Sequence, residues 1–423
     1  MGISVGTVYC GSPTCADDLM LLANRPSDLQ CMMDLVLGYS RKERYRIHPT
    51  KSQIVTYNSE DTEGWTLGEN PVPESTSLAH LGIVRHTDNL SPNTLISERI
   101  LVARRTTYAL MGTGFHGTNG LPPKVSLKIY STYVIPRLLF GLESLVVNKT
   151  QLQMLEVFHK KTLRCIQGLP ERVASSAIYL LIGEIPIAAK LHIKISSLLQ
   201  MIANDPESAL HKVALRQCAS KDSKSKSWFI YAEAALALYG LPKLQDILIS
   251  KPKRGPWKFY TTEVISAYWT DHLKDEAVNK STLNYLNLDA CNYGSVHPVW
   301  QDIFHPEEVK RAMLRAKLLC GVYMLQSNKA RFNQYKVKPD CPLCGQQAET
   351  REHFLMICSA LGPSRVSLLQ ALYSMIPALT IEQVIDSSRI RPDRRVPAEI
   401  ICRKLIYKLH EARAKQLLSL TQK

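Results

Sequence analysis

Short apolar runs separated by polar turns occupy the first ninety residues of the chain. Residues 3–10 alternate β-branched or aromatic side chains with small ones, which predicts a strand. A second apolar run covers residues 19–23, and Asp17 and Asp18 lie between the two runs. The pattern therefore predicts a hairpin-like arrangement with two carboxylates at its turn. Three further segments are predicted here: strands at 54–57 and 78–84, and a loop at 64–73.

Helical spacing of apolar residues first appears after Ser27. Ser27 and Gln30 have the spacing of a capping box, and we expect the helix that they start to end near Gly38. From about residue 93 the spacing is helical along most of the remaining chain.

This later region contains one well-marked helix and two interruptions. Thr150 and Gln153 predict the start of an amphipathic helix, and Gly168 predicts its end. Polar, lysine-rich breaks at 220–227 and 251–257 are predicted to be linkers or exposed loops.

Composition indicates a folded protein with a strong positive charge. Hydrophobic residues make up 45% of the 423 residues, and no apolar run is long enough to cross a bilayer, so we expect no membrane span. The 52 Lys and Arg exceed the 37 Asp and Glu, for a net charge of +15. This excess favours a polyanionic partner, with nucleic acid as the first choice; a basic protein without such a partner is the alternative.

The positive charge is concentrated late in the chain. Residues 1–90 have a net charge of −4, whereas residues 91–423 have a net charge of +19. We therefore expect the surface that binds a polyanion to lie after residue 90.

Asp17 and Asp18 form a candidate metal site. Adjacent carboxylates at a strand turn can bind Mg²⁺, which prefers hard oxygen ligands and keeps water or substrate phosphates in its shell. A solvated turn is the alternative, because Asp is common in turns that bind no ion.

The residues around this pair carry a family resemblance. Gly-Ser-Pro-Thr-Cys-Ala-Asp-Asp-Leu-Met-Leu-Leu-Ala at 11–23 resembles the catalytic strand-turn-strand of reverse transcriptases, in the version of non-LTR (LINE-like) retrotransposons. His-Pro-Thr-Lys-Ser at 48–52 is similar to the lysine-bearing motif that follows in the palm of that family. Leu-Ala-His-Leu-Gly-Ile at 78–83 looks like its primer-gripping hairpin, and segments 135–143 and 155–161 resemble its helical thumb and connecting region.

The resemblance implies an RNA-directed DNA polymerase site with RNA and DNA, as template and primer, for partners. Asp17 would be a metal ligand and Asp18 its neighbouring carboxylate, because two Mg²⁺ ions about 3.5–4 Å apart activate the primer hydroxyl and stabilise the leaving pyrophosphate in such a site. Lys51 would lie near the leaving phosphates; a solvated lysine is the alternative.

One part of the family's pattern is missing from this sequence. The family's first catalytic aspartate precedes the Ala-Asp-Asp turn on a separate palm strand, and none of the sixteen residues before Asp17 is acidic. We therefore expect the fingers, the upstream aspartate and any endonuclease domain to be absent and the chain to be inactive as a polymerase, with Mg²⁺ bound only in a complete palm.

Cysteines near the C-terminus predict a zinc site. Cys341, Cys344, His353 and Cys358 have the spacing C-x2-C-x8-H-x4-C, which supplies three thiolates and an imidazole, the ligand set of a closed structural Zn²⁺ site. Three reduced cysteines buried in a helical domain are the alternative. Residues 349–355 also resemble the zinc-knuckle region that follows these polymerases.

Basic residues follow the predicted knuckle and can either track phosphates or cover a solvated helix face. They are Arg389, Arg391, Arg394, Arg395, Arg403, Lys404, Lys408, Arg413 and Lys415. Phe354 is the one aromatic residue within 336–362 and is the candidate there for stacking on a base. We expect sequence-tolerant nucleic-acid binding that weakens steeply with salt.

These patterns together predict an α+β chain: a partial reverse-transcriptase palm followed by a mostly α-helical thumb and connector and a small zinc-knuckle domain. The predicted boundaries are 1–90 for the palm, 91–220 for the thumb, 221–335 for the connector, 336–362 for the knuckle and 363–423 for a basic helical tail. Two functions stay open: a truncated, inactive RNA-directed DNA polymerase of a retrotransposon, or a non-enzymatic nucleic-acid-binding remnant that uses the basic helices and the knuckle. The eleven cysteines, odd in number and mostly scattered, favour reducing, intracellular surroundings, and the resemblance is compatible with the nucleus; the sequence does not fix the location.

Overall fold

The computed structural model describes residues 1–57, 64–87, 93–115, 120–222, 224–334 and 336–421. The structure is 61% helical and its few sheets are small and antiparallel, which confirms the predicted α+β class in this general sense. No helix in these ranges has both the length and the apolar content that crossing a membrane requires.

Four short antiparallel hairpins supply the named strands of the described chain; β1 pairs with β2, β3 with β4, β5 with β6 and β7 with β8. The strands are β1 Ser4–Val5, β2 Val8–Tyr9, β3 Thr14–Cys15, β4 Asp18–Leu19, β5 Trp65–Leu67, β6 Asn70–Val72, β7 Ser77–His80 and β8 Ile83–His86. A bond of 3.0 Å from the Ile3 backbone N–H to the Leu22 carbonyl joins the ends of the first two hairpins.

Helices make up most of the remaining described residues. They are α1 Pro26–Lys42, α2 Asn93–Met111, α3 Pro123–Ile129, α4 Ile135–Leu138, α5 Lys149–Gln167, α6 Ser175–Leu180, α7 Ile187–Ala203, α8 Ala209–Ser220, α9 Trp228–Ala237, α10 Leu244–Ser250, α11 Arg254–Val278, α12 Pro306–Leu319, α13 Gln326–Phe332, α14 Gly362–Met375, α15 Ile381–Ile385 and α16 Pro392–Thr421. One π turn, Tyr130–Val134, joins α3 to α4.

The chain divides into two compact units, each built from three separated stretches. Unit 1 comprises Met1–Leu101, Leu139–Leu152 and Leu191–Glu263. One of its cores forms where α1 packs against the β5–β6 hairpin and the segment before it, and its buried members are Met33, Ile54, Trp65, Leu67 and Val72. Gln30 fastens the same contact, because its side chain exchanges two hydrogen bonds with the backbone of Thr66, at 2.8 and 3.1 Å.

Unit 2 comprises Val102–Leu138, Gln153–Lys190 and Val264–Lys423. Its C-terminal part is helical, with α16 packed against both α12 and α14. The buried indole of Trp300 donates to the side chain of Gln167 at 3.1 Å, which joins sequence-distant parts of this unit.

Several predictions about the first ninety residues are wrong because glycines allow turns within predicted continuous segments. The predicted strand 3–10 is the β1–β2 hairpin, which turns at Gly6 with φ +64°. The predicted loop 64–73 is the β5–β6 hairpin, with Gly68 at φ +67° in its turn. The predicted strand 78–84 likewise folds back as β7–β8, and of 54–57 only Ile54 makes a β-bridge. The predicted hairpin between the runs 3–10 and 19–23 is wrong in its strands, because β3 and β4 form the hairpin here, with Asp17 in its turn and Asp18 in β4.

The predicted helix ends differ from the observed ones in detail. The Ser27–Gln30 box does not form, because Gln30 bonds Thr66 and Asp34 instead, and α1 runs through Gly38 to Lys42. The α5 capping box uses Asn148 and Gln151, two residues earlier than predicted, with both bonds at 2.9 Å.

The other predicted helical boundaries agree more closely with the structure. α5 ends before Gly168, as expected. The break at 220–227 is confirmed for its described residues, whereas the predicted break at 251–257 is short, since α11 begins at Arg254. The five predicted domain boundaries, and the palm among them, stay predictions.

Candidate metal centre and nucleic-acid interface

The four predicted ligands near the C-terminus lie together in unit 2. Donor atoms of Cys341, Cys344, His353 and Cys358 all fall within 4.8 Å of one another. Within the described ranges this is the single group of three or more Cys, His, Asp or Glu side chains that can hold a metal ion. The structure therefore brings together the whole ligand set expected from the spacing.

The local chain folds so as to bring these side chains to one point. The backbone N–H of Cys341 donates to the Gln347 carbonyl at 2.8 Å, and Gly345 closes the turn by donating to the Cys341 carbonyl at 2.8 Å. Gly345 has φ +65°, a conformation that favours glycine. The hydroxyl of Thr350 accepts the His353 backbone N–H at 3.2 Å and so caps the helical turn that presents the imidazole.

Two distances between donor atoms match those around a tetrahedral ion. With Zn–S near 2.3 Å and Zn–N near 2.0–2.1 Å, a regular tetrahedron places two sulfurs about 3.8 Å apart and a sulfur about 3.6 Å from the nitrogen. The Sγ atoms of Cys341 and Cys358 are 3.8 Å apart, and Sγ of Cys344 is 3.4 Å from Nε2 of His353. The residues present therefore fit a metal such as zinc.

Electrostatic conditions at the cluster also suit a cation. Burial raises the pKa of the Cys341 thiol to about 12, so an ionised sulfur there needs a compensating positive charge. At Cys344 burial opposes ionisation, but backbone N–H groups, that of Gln346 first, outweigh burial and lower the pKa of the thiol. Burial also lowers the pKa of His353, which favours the neutral imidazole that a metal binds.

The metal-binding segment is attached to the rest of unit 2 through Glu349. Its carboxylate accepts two hydrogen bonds from Arg413 on α16, at 2.6 and 2.7 Å, and one from the Gln326 backbone N–H at 2.6 Å. Phe354 is fully buried and packs against Tyr323 with ring centroids 5.5 Å apart. The expectation that Phe354 stacks on a base is therefore wrong, because its ring has no exposed surface.

The basic tail is not uniformly available to phosphates. Arg403 is buried, bonded to Glu399 at 2.9 Å and to backbone carbonyls that include Gln301 at 2.6 Å; Arg413 is buried against Glu349. These two residues stabilise the fold, so both alternatives given for the basic residues, phosphate tracking and a solvated helix face, are wrong for them. Arg395 is half-buried and donates to the carbonyl of Ser388. The exposed remainder is Arg389, Arg391, Arg394, Lys404, Lys408 and Lys415.

Asp17 and Asp18 lie on the exposed β3–β4 hairpin. Asp17 is in the turn and Asp18 begins β4, after Ala16 with φ +53°. In the part of the chain that the structure describes, no third ligand joins the pair in a metal-binding group. Lys51 ends a short 3₁₀ turn and is exposed, and no hydrogen bond or ion pair joins it to either aspartate among the described residues.

A second feature of unit 2, which sequence reasoning missed, is a set of exposed basic residues and tyrosines on α2, α3, the π turn and α4. The side chain of Arg137 donates to the Thr106 hydroxyl at 3.2 Å and so joins α4 to α2. We call these exposed residues the α2–α4 surface: Arg104, Arg105, Tyr108, Lys124, Lys128, Tyr133 and Arg137. Tyr108 and Tyr133 are 63% and 54% exposed, which leaves both rings open to a ligand.

A signal for this surface is present in the sequence. No acidic residue occurs between Glu98 and Glu143, whereas six Lys or Arg do. The charge tally by long segments conceals this run, because it averages the run with the more acidic residues that follow.

A comparison with models of known protein families finds no match, and a comparison with curated proteins finds none.

Proposed function

We propose that this chain binds nucleic acid without catalysing its synthesis, and that a structural Zn²⁺ ion supports the helical unit that binds. The α2–α4 surface carries the proposal. It combines five exposed cations with two exposed tyrosines and contains no acidic side chain within its stretch of sequence. Cations neutralise phosphates and release counterions, while tyrosine rings give bases a face on which to stack.

The Cys341–Cys344–His353–Cys358 cluster supplies the proposed zinc site. Four protein ligands fill a tetrahedral shell, so no position stays open for substrate or water, and the ion's role is structural. The Glu349–Arg413 contact joins the metal-binding segment to α16, so an ion that stabilises the segment would also stabilise its packing against α16.

A test of the proposal replaces three cations of the α2–α4 surface in the full chain. The affinity for an oligouridylate and for an RNA–DNA duplex of equal length is measured between about 50 and 200 mM salt. We expect the log–log salt slope on the single strand to fall in magnitude by about 2, at about 0.7 per lost contact. The variant is Arg104→Gln, Arg105→Gln and Lys128→Gln.

A matched control removes the same net charge from exposed or half-exposed cations that already have an acidic partner. These cations are Arg25, which pairs with Asp28, Lys212, which pairs with Glu207, and Arg311, which pairs with Glu307. The control is Arg25→Gln, Lys212→Gln and Arg311→Gln. Equal losses in the two triple variants would show that total charge, and not the α2–α4 surface, sets the affinity. Absence of salt-dependent binding by the unmodified chain would contradict the proposed function itself.

RNA-directed DNA polymerase activity is the second candidate function. It is favoured by the β3–β4 hairpin, which exposes Asp17 in its turn and Asp18 at the start of β4, in a strand-turn-strand form similar to the one that the resemblance implies. A two-metal site needs further carboxylate ligands, and the described residues provide no third ligand beside this pair. We therefore rank polymerase activity of this chain below nucleic-acid binding.

A further inference from the structure

The turn that follows helix α1 has an unusual residue in its left-handed position. The backbone N–H of Tyr45 donates to the Ser40 carbonyl at 3.0 Å, and that of Arg44 donates to the Arg41 carbonyl at 3.4 Å. These two bonds define a Schellman motif, whose residue in the left-handed conformation is usually glycine. Here that residue is Arg44, with φ +62°.

Arg44 is not explained by the backbone that it occupies. A side chain in the left-handed region is strained, and glycine would relieve the strain while keeping the same hydrogen bonds. The Arg44 side chain is exposed, and no acidic side chain among the described residues pairs with it. Backbone strain of this kind is concentrated at ligand-binding and active sites, which makes the Arg44 side chain a candidate for such a use.

The same motif brings two tyrosines together. The ring centroids of Tyr39 and Tyr45 are 6.4 Å apart, with the planes at 66°. A Schellman motif often includes an apolar contact between these two positions, which accounts for their proximity. That contact does not account for the open surface of the rings, since Tyr39 is 57% and Tyr45 is 47% exposed.

Exposed cations lie close to the two tyrosines in the sequence. Arg41, Lys42, Arg44 and Arg46 are all exposed within six residues, and Glu43 is the one acidic residue among them. The helix C-terminus favours the first two, because positive charge there interacts well with the helix dipole. We call the group formed by these four cations with Tyr39 and Tyr45 the α1-end patch.

We infer that the α1-end patch binds single-stranded nucleic acid, with unpaired bases stacked on Tyr39 and Tyr45 and the neighbouring phosphates held by the four cations. The inference rests on the proposed function and adds to it a second site, in unit 1, that discriminates between single strands and duplexes. Stacking on an exposed ring needs a base outside a duplex, whereas phosphate contacts do not. This site lies within residues 1–90, where the charge tally predicted no polyanion-binding surface.

The test uses the full chain and three probes: an oligouridylate, an abasic strand of the same length, and an RNA–DNA duplex. The double variant Tyr39→Leu, Tyr45→Leu keeps an apolar contact for the Schellman motif but removes both stacking rings. We expect it to weaken oligouridylate binding about tenfold or more, and to change binding of the abasic strand and the duplex less than about twofold. Tyr373→Leu, at another exposed tyrosine, is the matched control and should change none of the three.

Arg44→Gly separates binding from folding. Glycine suits the backbone at this position, so the melting temperature should stay level or rise. Loss of one phosphate contact should nevertheless weaken oligouridylate binding at low salt and reduce the magnitude of the log–log salt slope by about 0.7. Unchanged affinity and slope in Arg44→Gly would overturn the role of this residue.

The outcomes distinguish this inference from the proposed function. In one outcome, the unmodified chain binds the duplex with steep salt dependence, and the double variant Tyr39→Leu, Tyr45→Leu binds oligouridylate as tightly as the unmodified chain does. The α1-end patch is then overturned, and the α2–α4 surface stands. If the unmodified chain binds none of the probes, both fail. In a further outcome, the unmodified chain binds phosphatidylserine vesicles, and the double variant loses vesicle binding but keeps oligouridylate binding. That result would assign the patch to a membrane surface instead.

Discussion

Asp386 is a single buried carboxylate that contributes to the stability of unit 2. One oxygen lies 3.3 Å from Nε2 of His297, and the other accepts the Asn287 backbone N–H at 2.7 Å. Burial by itself would raise the pKa of Asp386, but His297, Asn287 and Ser388 outweigh burial and hold this pKa well below its usual range. The charged form therefore stabilises the fold above the unfolded pKa of about 3.9, and this contribution is lost as the pH falls through the lower, folded pKa.

Replacing this carboxylate tests the pH dependence directly. We expect Asp386→Asn to lower the free energy of unfolding by about 2–4 kcal/mol at pH 6, because the substitution leaves buried partners unpaired. The difference from the unmodified chain should shrink as the pH falls below about 4, since the variant has no carboxylate to protonate there. Urea unfolding followed by circular dichroism at several pH values measures this. Asp271→Asn, at an exposed residue within α11, should leave the curve unchanged, and a difference that grows at low pH would contradict the account.

At the scale of elements, the metal-binding segment depends on helices that follow it and precede it in sequence. Glu349 connects the segment to α16 through Arg413 and to the start of α13 through Gln326. The segment is therefore part of the fold of unit 2, and its metal should be studied in the full chain. Phe354 is the one aromatic residue of the predicted knuckle, and its burial leaves no ring there for base stacking.

Substitution of one ligand should remove the metal and destabilise unit 2. We expect the full chain to contain one equivalent of Zn²⁺ and Cys344→Ser to contain much less, because a tetrahedral site that loses a thiolate binds weakly. A loss of about 3 kcal/mol would lower the melting temperature by roughly 6–12 °C. Elemental analysis and thermal unfolding measure the two effects. The control Cys31→Ser changes an exposed cysteine outside the cluster and should keep the full equivalent. Equal zinc content in Cys344→Ser and the unmodified chain would contradict the assigned site.

At the scale of the whole molecule, the two units do not follow the order of the sequence. Unit 1 takes Leu191–Glu263 as well as Met1–Leu101, and unit 2 takes Val102–Leu138 as well as Val264–Lys423. A cut at residue 90 would remove α1 and all four hairpins from unit 1 and leave its helical part without them. Point variants of the full chain therefore test binding better than a fragment that starts at residue 91.

Polymerase activity is a property of the whole molecule and can be tested on it. We expect the purified chain not to extend a primer on an RNA template with Mg²⁺ and deoxynucleotides. The reason is that Asp17 and Asp18 have no third ligand beside them among the described residues, and two metal ions need a larger carboxylate frame. Template-dependent extension that Asp17→Ala abolishes would contradict this and make the second candidate function the first.

Short-range features of the fold were predictable from the sequence. The Cys341–Cys344 and His353–Cys358 spacings place their ligands on a tight turn and a short helical segment, and the structure brings all four together. The carboxylate hairpin at Asp17 has the same local origin. Predictions failed where a turn or a cap had several local solutions, as at Gly6 and Gly68, or at Gln30, which bonds Thr66 instead of capping its own helix.

The sequence by itself determined the helical content, the metal-ligand set and the excess of positive charge, because each depends on composition or on residues close together in the chain. Only the tertiary structure decided which charges are buried and which face solvent. Arg403 bonds the carbonyl of Gln301, and Arg413 bonds Glu349, across more than sixty residues of sequence. No local pattern distinguishes these arginines from exposed Lys404 and Lys408 on the same helix. Their roles differ because a cation that folding places among buried carbonyls and carboxylates stabilises the fold, whereas one left in water is free to meet a phosphate.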